Sequence, residues 1–208
     1  MKTTLGLVFI FFSICLCYGQ AEFIDHHQCL LYCHSANEKM RTQDYEGALS
    51  DYSEAIKRDP FYAEAYINRG NARSILQDFK NAITDYNKGI DLNGMIAGAY
   101  YNRGCAEFAL QLNKEALADF ARTIDLNSSY REAYNNRGNV KRVLKDYAGA
   151  IVDFSKAIEL NPKIGDAYIN RGLTLIDQLQ KNEACSDFKK AAELGDRGGF
   201  DAIRKYCE

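Results

Sequence analysis

Apolar residues recur along this chain in paired runs with helical spacing. From Tyr66 to Leu76 they return every three or four positions, Gln77-Asp78 interrupts them, and a second such run from Phe79 to Leu92 ends at Asn93-Gly94. That spacing is the signature of a helix with one buried stripe, and the polar pairs between runs read as turns. Beginning at Cys29 the same helix-turn-helix pattern fills five 34-residue frames without insertion, at 29–62, 63–96, 97–130, 131–164 and 165–198. Pro60 and Pro162 fall between frames, where a helix has to stop. A period of this size predicts an α-solenoid. Residues 199–208 read as a short terminal helix that caps the last frame, whose outer face is otherwise apolar and exposed.

Several columns repeat in register. Tyrosine stands at 32, 66, 100, 134 and 168, and four residues later come Ala36, Gly70, Gly104, Gly138 and Gly172. Alanine follows at 48, 82, 116, 150 and 184, then the aromatic residues Tyr52, Tyr86, Phe120, Phe154 and Phe188, then Ala55, Gly89, Thr123, Ala157 and Ala191. A glycine inside a helix costs about 1 kcal/mol against alanine. Four in register therefore imply close approach of the partner helix, expected at the alanine column.

These columns resemble the tetratricopeptide repeat over residues 29–198. The sequence departs from the family pattern in carrying Tyr where tryptophan often heads the repeat, and Arg69, Arg103, Arg137 and Arg171 where leucine usually precedes the glycine. The Asn-Arg-Gly triplets at 68–70, 102–104, 136–138 and 170–172 resemble a subfamily common in bacterial proteins. The resemblance implies an all-α, right-handed superhelix of five repeats with the capping helix at its end, and a role in binding other proteins.

The chain has 208 residues, is 47% hydrophobic and carries a net charge of −2. This is the composition of a globular protein, and it lacks the clustered Lys and Arg of a nucleic-acid surface. Residues 1–19 are of another kind: Lys2 precedes an uncharged stretch from Leu5 to Tyr18, then Gly19-Gln20. About 14 apolar residues suit a secretory signal peptide cleaved after Gly19 and fall short of the roughly 20 that span a bilayer, although an uncleaved anchor is the other reading. Neither Cys15 nor Cys17 follows the small residue a lipoprotein signal needs. With residues 20–28 as a lead-in, the expected mature chain is periplasmic or secreted and has no membrane span.

Export changes how the cysteines read. Removing the leader leaves Cys29, Cys33, Cys105, Cys185 and Cys207 in an oxidising compartment. Cys185 lies on the second helix of the last frame and Cys207 on the helix that must pack there. A bridge between them would staple the cap, whereas two buried free thiols are the alternative. Asn127-Ser128-Ser129 is a glycosylation sequon in an exposed turn.

No phosphate loop and no nucleophile-base arrangement is present, so the chain reads as a non-enzyme without a cofactor. The one cluster suggesting metal or haem chemistry is His26-His27-Gln28-Cys29-Leu30-Leu31-Tyr32-Cys33-His34. Cys29 and Cys33 share a helical face and with a histidine could hold zinc, and Cys-x-x-x-Cys-His is one residue from a haem-attachment motif. The same residues also open the first repeat, with Tyr32 in its column.

Asp51, Asp85, Asp119, Asp153 and Asp187 form a column on the second helices, whereas the arginine column begins one repeat later. Forward pairing is therefore expected: Asp51 with Arg69, Asp85 with Arg103, Asp119 with Arg137, Asp153 with Arg171, and Asp187 with Lys205 of the capping helix. These are register-setting ion pairs and not catalytic groups.

Candidate binding residues are the asparagines of the first helices. Asn68, Asn102, Asn136 and Asn170 recur every 34 residues, with Asn37, Asn71 and Asn139 one turn further along. By the resemblance, first helices line the concave face, and a carboxamide there can bond both the N–H and C=O of an extended peptide. Ile67, Tyr101, Phe108, Ile169, Leu173 and Ile176 add apolar contacts, and Glu64, Glu132 and Asp166 acidic ones. Cys33, Ile67 and Tyr101 stand at a column where the chaperone-tail version of the fold has clamping lysines, which argues against a terminal-carboxylate ligand. The expected role is an exported adaptor that holds an extended segment of another protein. The rivals are the metal or haem protein above and a self-associating structural solenoid.

Overall fold

A computed structural model describes residues 25–208; the signal-peptide reading of 1–19 lies outside the described residues. Among those described there are helices and no strand. The chain divides into two units, Met1–Gly94 and Met95–Glu208. The first holds α1 (25–41), α2 (Tyr45–Arg58), α3 (Ala63–Ile75) and α4 (Phe79–Leu92). The second holds α5 (Ala97–Ala109), α6 (Asn113–Leu126), α7 (Arg131–Val143), α8 (Tyr147–Leu160), α9 (Gly165–Asp177), α10 (Lys181–Glu193) and α11 (Arg197–Tyr206). Within each unit, helices pack as consecutive hairpins and each hairpin packs on the next, the arrangement of an all-α solenoid. No described helix is long and apolar enough to cross a membrane.

Every first helix ends the same way. In the second hairpin the Asp78 N–H reaches Arg73 O at 2.9 Å and the Gln77 N–H reaches Ser74 O at 3.0 Å, two bonds that satisfy carbonyls left open at a helix end. The residue between is left-handed in all five hairpins, and none of the five is glycine: Gln43, Gln77, Gln111, Lys145 and Leu179, with φ of 62–64°. Asp44 and Asp146 then cap the second helices by accepting from the N–H of Gly47 and Gly149.

The glycine column faces the aromatic column and not, as expected, the alanine column. A Cβ at Gly138 would stand 2.7 Å from the Phe154 ring, and one at Gly172 would stand 2.5 Å from that of Phe188. The antiparallel hairpin explains this, because residues at equal distances on either side of the turn come together, and the aromatic ring lies 16 positions beyond the glycine. The alanine column is wholly buried, which lets the helices close on the ring.

The same symmetry corrects the forward pairing. Each arginine forks onto the aspartate of its own hairpin: Arg69 on Asp85 (2.7 and 2.9 Å), Arg103 on Asp119 (both 2.7 Å), Arg137 on Asp153 (2.7 and 2.8 Å) and Arg171 on Asp187 (2.7 and 2.8 Å). Again 16 residues separate the partners. Asp51 is served inside its own hairpin by Ser35 and by Lys39, both at 2.6 Å. Arg69 and Arg171 do reach back to the preceding hairpin, but to Ser53 (3.1 Å) and Ser155 (2.9 Å). Each arginine also lies 5.5–5.9 Å from the ring of the tyrosine three residues before it. In each of these four hairpins the arginine thus joins a cation–π contact to an ion pair.

The terminal helix α11 covers the apolar face of α10. Ala202, Ile203 and Tyr206 pack around Phe188, whose ring stacks on Tyr206 at 5.9 Å. A Cβ at Gly199 would meet backbone of α10, 2.5 Å from Ala192 N, so only glycine permits this approach. Lys205 does not meet Asp187, which Arg171 already holds; its ammonium lies 4.9 Å from the Tyr206 ring. Cys185 and Cys207 come together with Cα atoms 5.8 Å apart, a separation at which a disulfide closes without backbone movement.

Candidate peptide-binding face

In the first unit the asparagines are largely engaged by the fold. Asn37 Oδ1 accepts from the Tyr52 hydroxyl at 2.6 Å and Asn71 Oδ1 from that of Tyr86 at 2.9 Å. These two hydroxyls belong to nearly inaccessible rings, and a buried hydroxyl without an acceptor would be costly. Asn68 Oδ1 accepts in turn from Asn71 at 3.4 Å. Ile67 is 7% exposed and packs over Gly89. It is a core residue, not the groove residue expected.

The second unit is different because its aromatic column is phenylalanine and asks for no acceptor. Asn139 on α7 is half-buried and has no hydrogen-bond partner among the described residues. Asn136 donates to the Tyr101 hydroxyl at 3.0 Å and to Cys105 Sγ at 3.4 Å, and Asn170 donates to Asn135 Oδ1 at 3.1 Å. All three bonds run between first helices of successive hairpins, α7 to α5 and α9 to α7. They fix Asn136 through both N–H groups of its amide and Asn170 through one, leaving Oδ1 of each and the second N–H of Asn170 uncommitted. Asn102 is half-buried on α5. The sequence did not reveal these cross-links, although the 35-residue offset of Asn136 from Tyr101 and of Asn170 from Asn135 follows from stacking one hairpin on the next.

Further pairs tie these first helices together. Arg131 meets Asp166 at 3.1 Å and also Glu132, while Arg142 meets Asp177 at 2.7 Å. Tyr101 sits between Tyr130 (centroids 4.9 Å) and Phe120 (5.8 Å). Phe108, half-buried, packs against the same core of Ala116, Phe120 and Val140. Burial, and then the neighbouring Cys105, push the Tyr101 phenol above its ordinary range, so it stays a neutral donor and acceptor.

The amino-terminal cluster is not gathered as a metal site would require. Cys29 and Cys33 are buried in the core of the first hairpin pair, and burial pushes the Cys33 thiol up to about 12. His26 Nδ1 lies 2.7 Å from Asp59 Oδ2, and His27 and His34 are exposed. Among the described residues no group of three or more His, Cys, Asp or Glu side chains is arranged to hold a metal ion.

Comparison with known proteins agrees with this geometry. Models described as tetratricopeptide repeat or TPR repeat match residues 36–74, 63–94, 132–164 and 165–194. The chain is similar to the crystal structure of MamA, with 28% identity over 86% of this chain and 95% of that one and a TM-score of 0.75. It is similar to YrrB, described as a TPR protein with an unusual peptide-binding site, with 24% identity, 83% and 90% coverage and a TM-score of 0.72. It also resembles the first TPR of Spaghetti (RPAP3) bound to an HSP90 peptide, with 29% identity over 58% of this chain and 95% of that one and a TM-score of 0.57. A comparison with curated proteins finds no match. With its hairpins, its repeat columns and these matches all agreeing, the chain belongs to the tetratricopeptide repeat family.

Proposed function

We propose that the protein is a non-enzymatic adaptor that is exported after removal of residues 1–19 and holds an extended segment of a partner protein on the α5, α7 and α9 face. The observation that carries this reading is the pair of inter-helix bonds from Asn136 and Asn170. A carboxamide pinned through its amide nitrogen is oriented before a ligand arrives, so binding a peptide N–H to Oδ1, and at Asn170 a peptide C=O to the second N–H, costs little ordering entropy. Each such bond contributes about 0.5–1.5 kcal/mol, and several first helices must act together. The peptide held by the RPAP3 repeat supports a protein ligand. The carboxylate-clamp mode is not part of the proposal, because Cys33 and Ile67 are buried in their helices. In an oxidising compartment the juxtaposed Cys185 and Cys207 form a disulfide that locks α11 to α10.

A library of displayed random peptides panned on the mature chain tests the reading. Selected peptides should bind the parent and lose roughly tenfold in affinity for a chain carrying Asn136→Ala and Asn139→Ala, as loss of two such bonds implies. Equal affinity in a variant whose helicity and melting match the parent refutes it.

A further inference from the structure

Three hairpins place a cation at the same point between their helices. Lys39 Nζ lies 2.6 Å from Asp51 Oδ2 and 3.5 Å from Gly47 O. Arg73 Nη1 lies 2.7 Å from Asp85 Oδ2 and 3.2 Å from Asn81 O, and Lys141 Nζ lies 2.7 Å from Asp153 Oδ2 and 3.5 Å from Gly149 O. Asp85 and Asp153 are held on the other oxygen as well, by Arg69 and Arg137, while Asp51 takes Ser35 on the same oxygen as Lys39. A carboxylate of the second helix neutralised by a cation in this column is thus written three times in the fold.

The third hairpin breaks it, because the residue in that column is Glu107. It is 7% exposed, and its Oε2 is buried without a hydrogen-bond partner. The charged groups around it are unfavourable. Arg103 of the same helix is 3.9 Å from Glu107 Oε1 but only 2.7 Å from Asp119 Oδ2, so its fork belongs to Asp119. From α6 come two further carboxylates, Asp119 and Glu115, and both act against the Glu107 charge. From α7, Arg137 and Lys141 are committed to Asp153. An ionised Glu107 would be a buried charge with no counter-ion of its own, beside a second carboxylate, which folded proteins avoid.

We infer that Glu107 holds its proton until pH rises to the edge of neutrality and donates it to Asp119, so that the third hairpin holds a removable cation where three others hold a covalent one. Burial, followed by the Asp119 charge, pushes the Glu107 carboxyl up from an ordinary 4.5 to about 7. The folded chain therefore retains this proton through a range in which the unfolded chain has released it. The stabilisation is fully present below about 4.5, declines as pH rises, and is gone above about 7. Packing of α5 on α6 becomes sensitive to pH near neutrality, and α5 is the helix that carries Tyr101 and Phe108.

Thermal melts of the full mature chain with Glu107→Gln and Glu107→Lys test the inference. Gln keeps the shape and the donor without the ionisation, and Lys restores the cation of the other hairpins. Between about pH 5 and about pH 8 the parent should lose roughly 5 °C more in Tm than Glu107→Gln, and Glu107→Lys should melt above the parent at the higher pH. Carbon-13 NMR of glutamate carboxyls should show one group titrating near neutrality in the parent and absent from Glu107→Gln. Parallel pH profiles, or glutamates that all titrate in the ordinary range, overturn the inference. So does a Tm at the higher pH that calcium or magnesium chloride raises in the parent and not in Glu107→Gln, since a metal ion would then hold the pair.

Discussion

Truncating Arg137 separates the observed pairing from the forward pairing that the sequence suggested. Its guanidinium forks onto Asp153 at 2.7 and 2.8 Å, and the Asp153 side chain is 2% exposed. Arg137→Ala leaves that carboxylate buried with Lys141 alone. Removing one partner of a buried pair costs about 3–5 kcal/mol, and the surviving lysine together with the 20% exposure of the Arg137 side chain places the loss near about 3 kcal/mol. A double-mutant cycle by urea unfolding resolves which aspartate is coupled. Arg137→Ala with Asp153→Ala should show a coupling of about 2 kcal/mol, whereas Arg137→Ala with Asp119→Ala should add to within about 0.5 kcal/mol. Coupling to Asp119 as large as that to Asp153, or none to either, refutes the account of how each hairpin is pinned.

Other consequences follow from single positions. Leu179 holds a left-handed backbone and is 92% exposed, so Leu179→Gly relieves about 1 kcal/mol of strain without loss of packing, seen as a higher urea midpoint. Gly199→Ala drives a Cβ into the backbone of α10 and should destabilise by about 2 kcal/mol, with earlier proteolysis of the C-terminal segment. Deleting 199–208 should yield aggregated or poorly folded protein, because Phe188 and its neighbours lose their cover; a soluble chain with a cooperative melt contradicts the capping role. If the disulfide forms, Cys207→Ser costs about 3 kcal/mol under oxidising conditions, for a loop of 22 residues, and nothing in the presence of reductant.

The hairpins were legible in the sequence because helix and period are one-dimensional signals: apolar spacing, the Gln77-Asp78 break and the five aligned columns specify them directly. Partner choice between columns was less legible. Periodicity shows that an arginine and an aspartate recur but not which copy meets which, and the 16-residue offset becomes decisive only when a tight turn at Gln77 folds α4 back on α3. The asparagines show the same limit. Asn37 and Asn71 look like Asn139 in the repeat, yet the hydroxyls of Tyr52 and Tyr86 claim them, and Phe154 makes no such demand. That signal was present in the aromatic column. The departure at Glu107 was also visible, as a carboxylate aligned with Lys39, Arg73 and Lys141, but its meaning depends on burial, which spacing alone does not report.

In the proposed binding mode a stretched peptide lies across first helices in the second unit, and chemical-shift mapping of the mature chain with a library-selected peptide locates it. Shifts should concentrate on α5, α7 and α9 around Asn102, Asn136, Asn139 and Asn170. Shifts confined to α6, α8 and α10, with those amides unchanged, contradict it.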